Sequence, residues 1–264
     1  MRAALEHRAR KRFGQHFLHD ANIIERIVRA IDPAAGDHLV EIGPGLGAIT
    51  LPLLERVDEL HAVELDRDVI PLLEAKAAAP GRLVIHPADA LKFDFAALAG
   101  GIGAPLRLAG NLPYNVSSPL LFHFLSFRSV IRDMHFMLQK EVVDRMAAPP
   151  GSKTYGRLSV MLAADCLIEP LFTIRPGAFN PPPKVDSAVV RLAVRDEPPF
   201  PLPDRALFAK LVTAAFAQRR KTLRNSIRQF LDADAIAACG IDPRARAETL
   251  SAAEFGRLAA AAAG

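Results

Sequence analysis

The chain has 264 residues, is 50% hydrophobic and carries 33 Lys+Arg against 29 Asp+Glu. That balance excludes extended disorder, and the length allows a core that needs no covalent staples. Two cysteines, Cys166 and Cys239, are too few for a disulfide scaffold; they are expected as small core hydrophobes in a reducing compartment.

No uncharged apolar run approaches the roughly 18 residues of a spanning helix. The opening stretch MRAALEHRARKRFG lacks the apolar core of a secretory signal, so a soluble, cytoplasmic protein is expected. Charge is unevenly placed. Residues 1–12 hold five basic side chains and one acid, residues 13–194 hold 17 and 20, and residues 195–264 hold 11 and 8. A slightly acidic body with basic ends suits a polyanionic partner, although two solvated basic surfaces would show the same pattern.

In chain order, His38–Ile42 is apolar enough for a buried strand and is followed by the glycine-rich Gly43–Gly47. Leu60–Leu65, Leu83–His86 and Leu106–Ala109 read as further strands, and His135–Leu138 lies in a fifth. Helical patterns at Val69–Ala79 and Pro119–Leu125 fall between them. Such alternation predicts an α/β parallel sheet covered on both faces. Ser187–Val194 alternates like a late edge strand. The four prolines of residues 195–204 suggest a linker. Beyond it, Leu207, Phe208, Leu211, Val212, Ala215 and Phe216 recur at helical spacing behind Asp204, a plausible N-cap, and Ser251 with Glu254 forms a capping-box signature. The expected division is an arm over 1–36, an α/β domain over 37–194, a linker over 195–204 and a helical domain over 205–264.

Two motifs carry chemistry. Glu41-Ile42-Gly43-Pro44-Gly45-Leu46-Gly47 lets the backbone turn sharply against a ligand, and Glu64, at the end of the next strand, suits both hydroxyls of a ribose. Gly43, Gly45 and Ala48 also match a dinucleotide fingerprint, so the nucleoside stays open at this point. Asn111-Leu112-Pro113-Tyr114-Asn115 suits a transferase acting on a planar amine. The Asn111 carboxamide oxygen and the backbone carbonyl of its neighbour Leu112 can accept both N–H bonds of an exocyclic amine, and Tyr114 offers a stacking face. A basic run at Arg219, Arg220, Lys221, Arg224 and Arg228, taken as one unbroken helix, would present Lys221, Arg224 and Arg228 to phosphates from one face. His16 and His19 have no companions that complete a metal site, so none is predicted.

Together these motifs resemble the S-adenosylmethionine-dependent rRNA adenine N6-dimethyltransferases, most closely the bacterial small-subunit (16S) enzymes of the KsgA type. The resemblance spans the chain: Arg12-Phe13-Gly14-Gln15-His16-Phe17-Leu18, residues 41–47, Val63–Asp66, Asp89-Ala90, residues 110–115, Phe179–Ser187 and Gln218–Asn225. It implies a Rossmann-like methyltransferase sheet with a small C-terminal helical domain, S-adenosylmethionine as cofactor and 16S rRNA of the small ribosomal subunit as partner, the enzyme acting as a monomer. It further implies that His16 and Leu18 close over the cofactor, Gly43 lies beneath it, Glu64 holds its ribose and Asp89 its adenine amine. By the same resemblance Asn111 places cofactor and target amine, while Tyr114 and Phe179 stack on the flipped base. At position 16 the family often has Asn where this chain has His. Three other readings remain open from sequence: a large-subunit rRNA adenine methylase, a non-catalytic assembly factor, and a dehydrogenase using NAD.

Overall fold

A computed structural model describes residues 16–77, 82–102, 105–218 and 220–264. The basic stretch over residues 1–12, residues 13–15 of the segment Arg12–Leu18 and Arg219 lie outside them. The strands are β1 (Phe17–Leu18), β2 (His38–Ile42), β3 (Leu60–Glu64), β4 (Leu83–Pro87), β5 (Leu106–Asn111), β6 (Ile131–Gln139), β7 (Cys166–Ile174), β8 (Phe179–Asn180) and β9 (Ser187–Val194). The helices are α1 (Ala21–Ile31), α2 (Thr50–Leu54), α3 (Ile70–Ala77), α4 (Phe95–Ile102), α5 (Ser117–Ser126), α6 (Lys140–Met146), α7 (Arg157–Asp165), α8 (Arg205–Phe216), α9 (Leu223–Ser226), α10 (Ala233–Ala238) and α11 (Ala252–Ala263).

Seven strands form one sheet in the order β4-β3-β2-β5-β6-β9-β7, parallel from β4 to β6 and antiparallel between β6 and β9. Its central strands are covered on both faces: every residue of β3 is buried, His61 and Glu64 included, and so are Leu39–Ile42 of β2. On one face, Ile27, Val28 and Ile31 of α1 and Leu53 of α2 share a cluster with Leu39 and Leu60. Phe95, Phe124 and Phe136 form a separate chain of ring contacts, with centroids 5.5 and 5.3 Å apart. Ser187–Val194 proves not to be an edge strand. It lies between β6 and β7, and β7, which the sequence pattern does not predict, takes the edge, where Pro170 removes a donor at little cost.

Arg107 ties α1 to this sheet. Its guanidinium donates to Asp133 at 3.0 Å, to Asp37 at 2.6 Å and to the terminal carbonyls of α1, Ile31 and Asp32, at 2.6 and 3.0 Å. Those carbonyls have no partner within the helix. Arg107→Met should therefore leave a buried Asp133 charge and two bare carbonyls, at a cost of about 3–5 kcal/mol. Urea unfolding measures this, and a loss below about 1 kcal/mol would contradict it.

The chain divides into two compact units: residues 1–143 with 169–194, and residues 144–168 with 195–264. This differs from the expected domains, because residues 144–168 leave the α/β unit. Val160 and Ala164 of α7 are buried with Phe208, Leu211, Leu223, Phe255 and Leu258 in the core of the second unit. Residues 195–204 are not a free linker either. The Phe200 ring lies where a side chain at Gly256 would sit and packs beside Phe208, with centroids 6.0 Å apart. Asp204 caps α8 by accepting from Leu207 N, and Ser251 and Glu254 close a capping box on α11.

Candidate active site

Strand order reverses at β2, which has β3 on one side and β5 on the other. A crevice opens beyond the carboxyl ends of the strands at such a switch point. Here it is a cavity of about 980 Å³, walled by the loops after β2, β3, β4 and β5 and by the segment around β1.

The glycine turn after β2 is held from three sides. Gly43 N donates to Val63 O at 2.9 Å, Gly45 N to the Glu64 carboxylate at 3.2 Å, and Lys76 Nζ to Leu46 O at 3.0 Å. Gly45 has φ 55°, and the Phe17 ring stands 3.4 Å from where its Cβ would be, so a side chain there would strain the turn and meet that ring. Glu64 also accepts from Asp66 N at 2.7 Å. Burial raises its carboxyl above the ordinary value, and these backbone donors work against that rise. Asp89, beyond β4, accepts from Leu91 N at 2.9 Å and lines the same cavity.

Glu41 lies in the cavity wall with 1% of its surface exposed. The hydroxyl of Thr50 beside it favours the charged carboxylate, against the effect of burial. Burial pushes Glu41 up to about 8, with the Glu64 charge adding to the rise, so at neutral pH it is a carboxylic acid. Between its ordinary 4.5 and about 8 the folded chain holds a proton that the unfolded chain has released. Stability should therefore fall as pH rises through that window. Glu41→Gln should flatten the fall in urea midpoints between pH 5 and 8, and an unchanged slope would contradict this.

Asn111 ends β5, and its Nδ2 donates to the His16 carbonyl at 3.2 Å. The amide orientation is thereby set, and its oxygen is left as the acceptor. Gly110, before it, lets β5 approach β2: a Cβ there would fall against the Ile42 carbonyl. Leu112 is buried and donates its N–H to Met137 O at 3.1 Å. The Tyr114 ring stacks on His16, with centroids 5.7 Å apart and planes at 27°, and its hydroxyl meets Ser187 Oγ at 2.6 Å. His16 Nδ1 is 2.8 Å from the Pro181 carbonyl.

His16, Leu18, Gly43, Glu64, Asp89, Asn111, Leu112 and Tyr114 thus all line one cavity. Phe179 does not. Its ring is 2% exposed and packed in the apolar cluster beneath the β1–β8 pair. In this structure the ring expected as the second stacking face is packed among apolar side chains and outside the cavity lining. Sequence reasoning misses Phe17, Glu41 and Ser187 as wall and support residues. All three stand inside the recognised motifs, and only their surroundings in the fold distinguish them.

In the second unit the basic run is not one helix. α8 ends at Phe216 and α9 covers only Leu223–Ser226. Leu223 N and Arg224 N donate to Ala245 O and Pro243 O, at 2.9 and 3.0 Å, so a distant loop takes donors that a continuing helix would have used. The arc predicted for Lys221, Arg224 and Arg228 fails with the helix. Arg220, Lys221, Arg224 and Arg228 are all exposed nonetheless, and the bonded loop brings exposed Arg244 and Arg246 to the same turn. Among the described residues no group of three metal-ligating side chains forms, and no helix is long and apolar enough to cross a membrane.

The family profile described as "Ribosomal RNA adenine dimethylase" matches residues 6–263. The chain is 56% identical to "Ribosomal RNA small subunit methyltransferase A" of Pseudomonas putida, over 98% of this chain and 97% of that one. It is 58% identical to the protein of the same name from Xanthomonas euvesicatoria, over 95% of each. Among solved structures, a dimethyladenosine transferase from Plasmodium falciparum superposes with a TM-score of 0.78 at 25% identity, covering 92% of this chain and 96% of its own. The 23S rRNA methyltransferase ErmE gives 0.71 at 23% identity over 94% and 100%, a likeness of fold.

Proposed function

Since the chain belongs to the ribosomal RNA adenine dimethylase family, we propose that it methylates the N6 amines of two adjacent adenines near the 3′ end of 16S rRNA. The product is N6,N6-dimethyladenosine, formed during small-subunit biogenesis by a cytoplasmic, monomeric enzyme. The donor is S-adenosylmethionine, which when bound supplies an electrophilic methyl group on a sulfonium.

The observation that carries this reading is the oriented Asn111 amide. Its N–H₂ is engaged by the His16 carbonyl, so its oxygen faces the task of accepting an amine N–H, in a cavity shared with Glu64 and Asp89. The donor set fits the cofactor. Glu64 suits two ribose hydroxyls and Asp89 an adenine amine. His16 and Leu18 close the cavity from the β1 side, and Gly43 leaves the backbone open beneath.

An adenine N6 is a poor nucleophile because its lone pair is delocalised into the ring. Asn111 Oδ1 and the Leu112 carbonyl, accepting its two N–H bonds, favour the pyramidal nitrogen that attacks. Tyr114 holds the base by stacking. Positioning and electrostatics suffice, and no strong general base is needed.

Arg220, Lys221, Arg224 and Arg228, with Arg219 outside the described residues and Arg244 and Arg246 on the bonded loop, are assigned to RNA phosphates. Replacing Lys221, Arg224 and Arg228 by Ala should weaken RNA binding and spare cofactor affinity. The salt dependence should flatten by roughly 0.7–0.9 for each phosphate no longer neutralised. An unchanged slope would return them to an ordinary solvated surface.

Two measurements test the reading. S-adenosylhomocysteine should raise the melting temperature where NAD does not. Labelled methyl groups should enter unmethylated small subunits and not large ones. A shift with NAD alone, or label in large subunits alone, would overturn it.

A further inference from the structure

The motif Phe179–Ser187 ends in a serine to which the proposed chemistry gives no part. Ser187 is wholly buried, and its backbone is fixed by pairing with Gln139 of β6, while the preceding Asp186 carbonyl accepts from Lys140 N at 2.9 Å. Its hydroxyl is 2.6 Å from the Tyr114 hydroxyl. Tyr114 itself stands in the turn after β5, half-buried, where one backbone attachment alone would let the ring swing about its side-chain bonds. The second attachment holds the far end of the ring to the same sheet that carries the near end, since β5 pairs with β6 and β6 with β9. On the ring face lies His16, whose imidazole is held by the Pro181 carbonyl of the same motif.

We propose that Ser187 is a positioning residue for methyl transfer, holding the Tyr114 ring in the plane against which the target base stacks. This rests on the functional reading above. A ring free to tilt would carry the stacked base with it, and a displacement of about 1 Å at the amine is enough to cost a large factor in rate. Burial raises the Tyr114 phenol above its ordinary value, and the Ser187 bond opposes that rise, in keeping with a close hydroxyl pair. A serine serving only to satisfy the phenol would cost stability when removed and leave the rate of the folded enzyme alone.

The test is a double-mutant cycle in the full-length protein with unmethylated small subunits. Ser187→Ala should lower kcat about tenfold while KM for the subunit stays within about twofold. Tyr114→Phe, which keeps the ring and removes the hydroxyl, should do the same, and the double variant should be no worse than either. A second measurement needs no substrate. The chain has two tyrosines and no tryptophan, so in a Tyr155→Phe background the near-ultraviolet dichroism reports Tyr114. That signal should weaken in Ser187→Ala, with S-adenosylhomocysteine affinity retained. An unchanged kcat in Ser187→Ala, or a double variant losing the product of the two single factors, overturns the proposal while an active wild type leaves the functional reading standing. A wild type that transfers nothing overturns both, and the dichroism then still tells whether Ser187 anchors the ring.

Discussion

Asn111→Ala is expected to lower kcat by about 10²–10³-fold, the size found when one preorganised hydrogen-bond partner of a transition state is removed. Two things are lost together. The Oδ1 acceptor disappears, so one amine N–H has no partner as the nitrogen pyramidalises. The 3.2 Å bond from Nδ2 to the His16 carbonyl also goes, and with it one tie between β5 and the segment that closes the cavity. Asn111→Asp separates the two effects. It keeps an acceptor but cannot donate to His16, and it places a charge where the neutral amide was, so it should be impaired in cofactor affinity as well as rate. Single-turnover kinetics with pre-bound small subunits read the chemical step. A rate within about threefold of wild type for Asn111→Ala would mean that the amine is held elsewhere.

Glu64→Ala is expected to weaken cofactor affinity by about 10²-fold or more. Hydrogen bonds to a charged acceptor contribute about 1.5–3 kcal/mol each, and the carboxylate has two oxygens for two ribose hydroxyls. The loss is compounded inside the protein. Glu64 already accepts from Gly45 N and Asp66 N, so its removal frees the glycine turn as well as the ligand. Glu64→Gln keeps the shape and one acceptor and should lose less. Titration calorimetry with S-adenosylhomocysteine measures both, and affinity unchanged in Glu64→Ala would move the ribose to another wall of the cavity. Folding is expected to survive, because the strand around Glu64 is held by the backbone pairing of β3 with β2 and β4.

Much of this site is legible in the sequence alone. Leu39, Val40 and Ile42 in one strand and Leu60, Ala62 and Val63 in the next are apolar on both sides because both sheet faces are covered, and short local patterns suffice to find such strands. Glycine turn, Glu64, Asp89 and Asn111 follow directly from strand ends, so their convergence needs only the parallel topology. What fails depends on partners distant in sequence. The basic run loses its helix because Leu223 and Arg224 donate to residues 243–245, and nothing within 218–231 announces that. Phe179 sits in a proline-rich loop that reads as exposed, yet pairing with Leu18 brings it over the core. Ser187–Val194 alternates like an edge strand, whereas β7, with exposed Leu167 and Leu171, occupies the edge. The prolines of residues 195–204 suggest a linker, and Phe200 among them is the packing residue that composition conceals.

The most direct measurement is mass-spectrometric mapping of small-subunit rRNA after incubation of purified protein with S-adenosylmethionine and unmethylated 30S particles. The expected result is N6,N6-dimethyladenosine at two adjacent adenines near the 3′ end, absent when Asn111→Ala replaces the wild type. Cofactor binding with no modified adenine in the small subunit, or dimethyladenosine confined to large-subunit RNA, would contradict it.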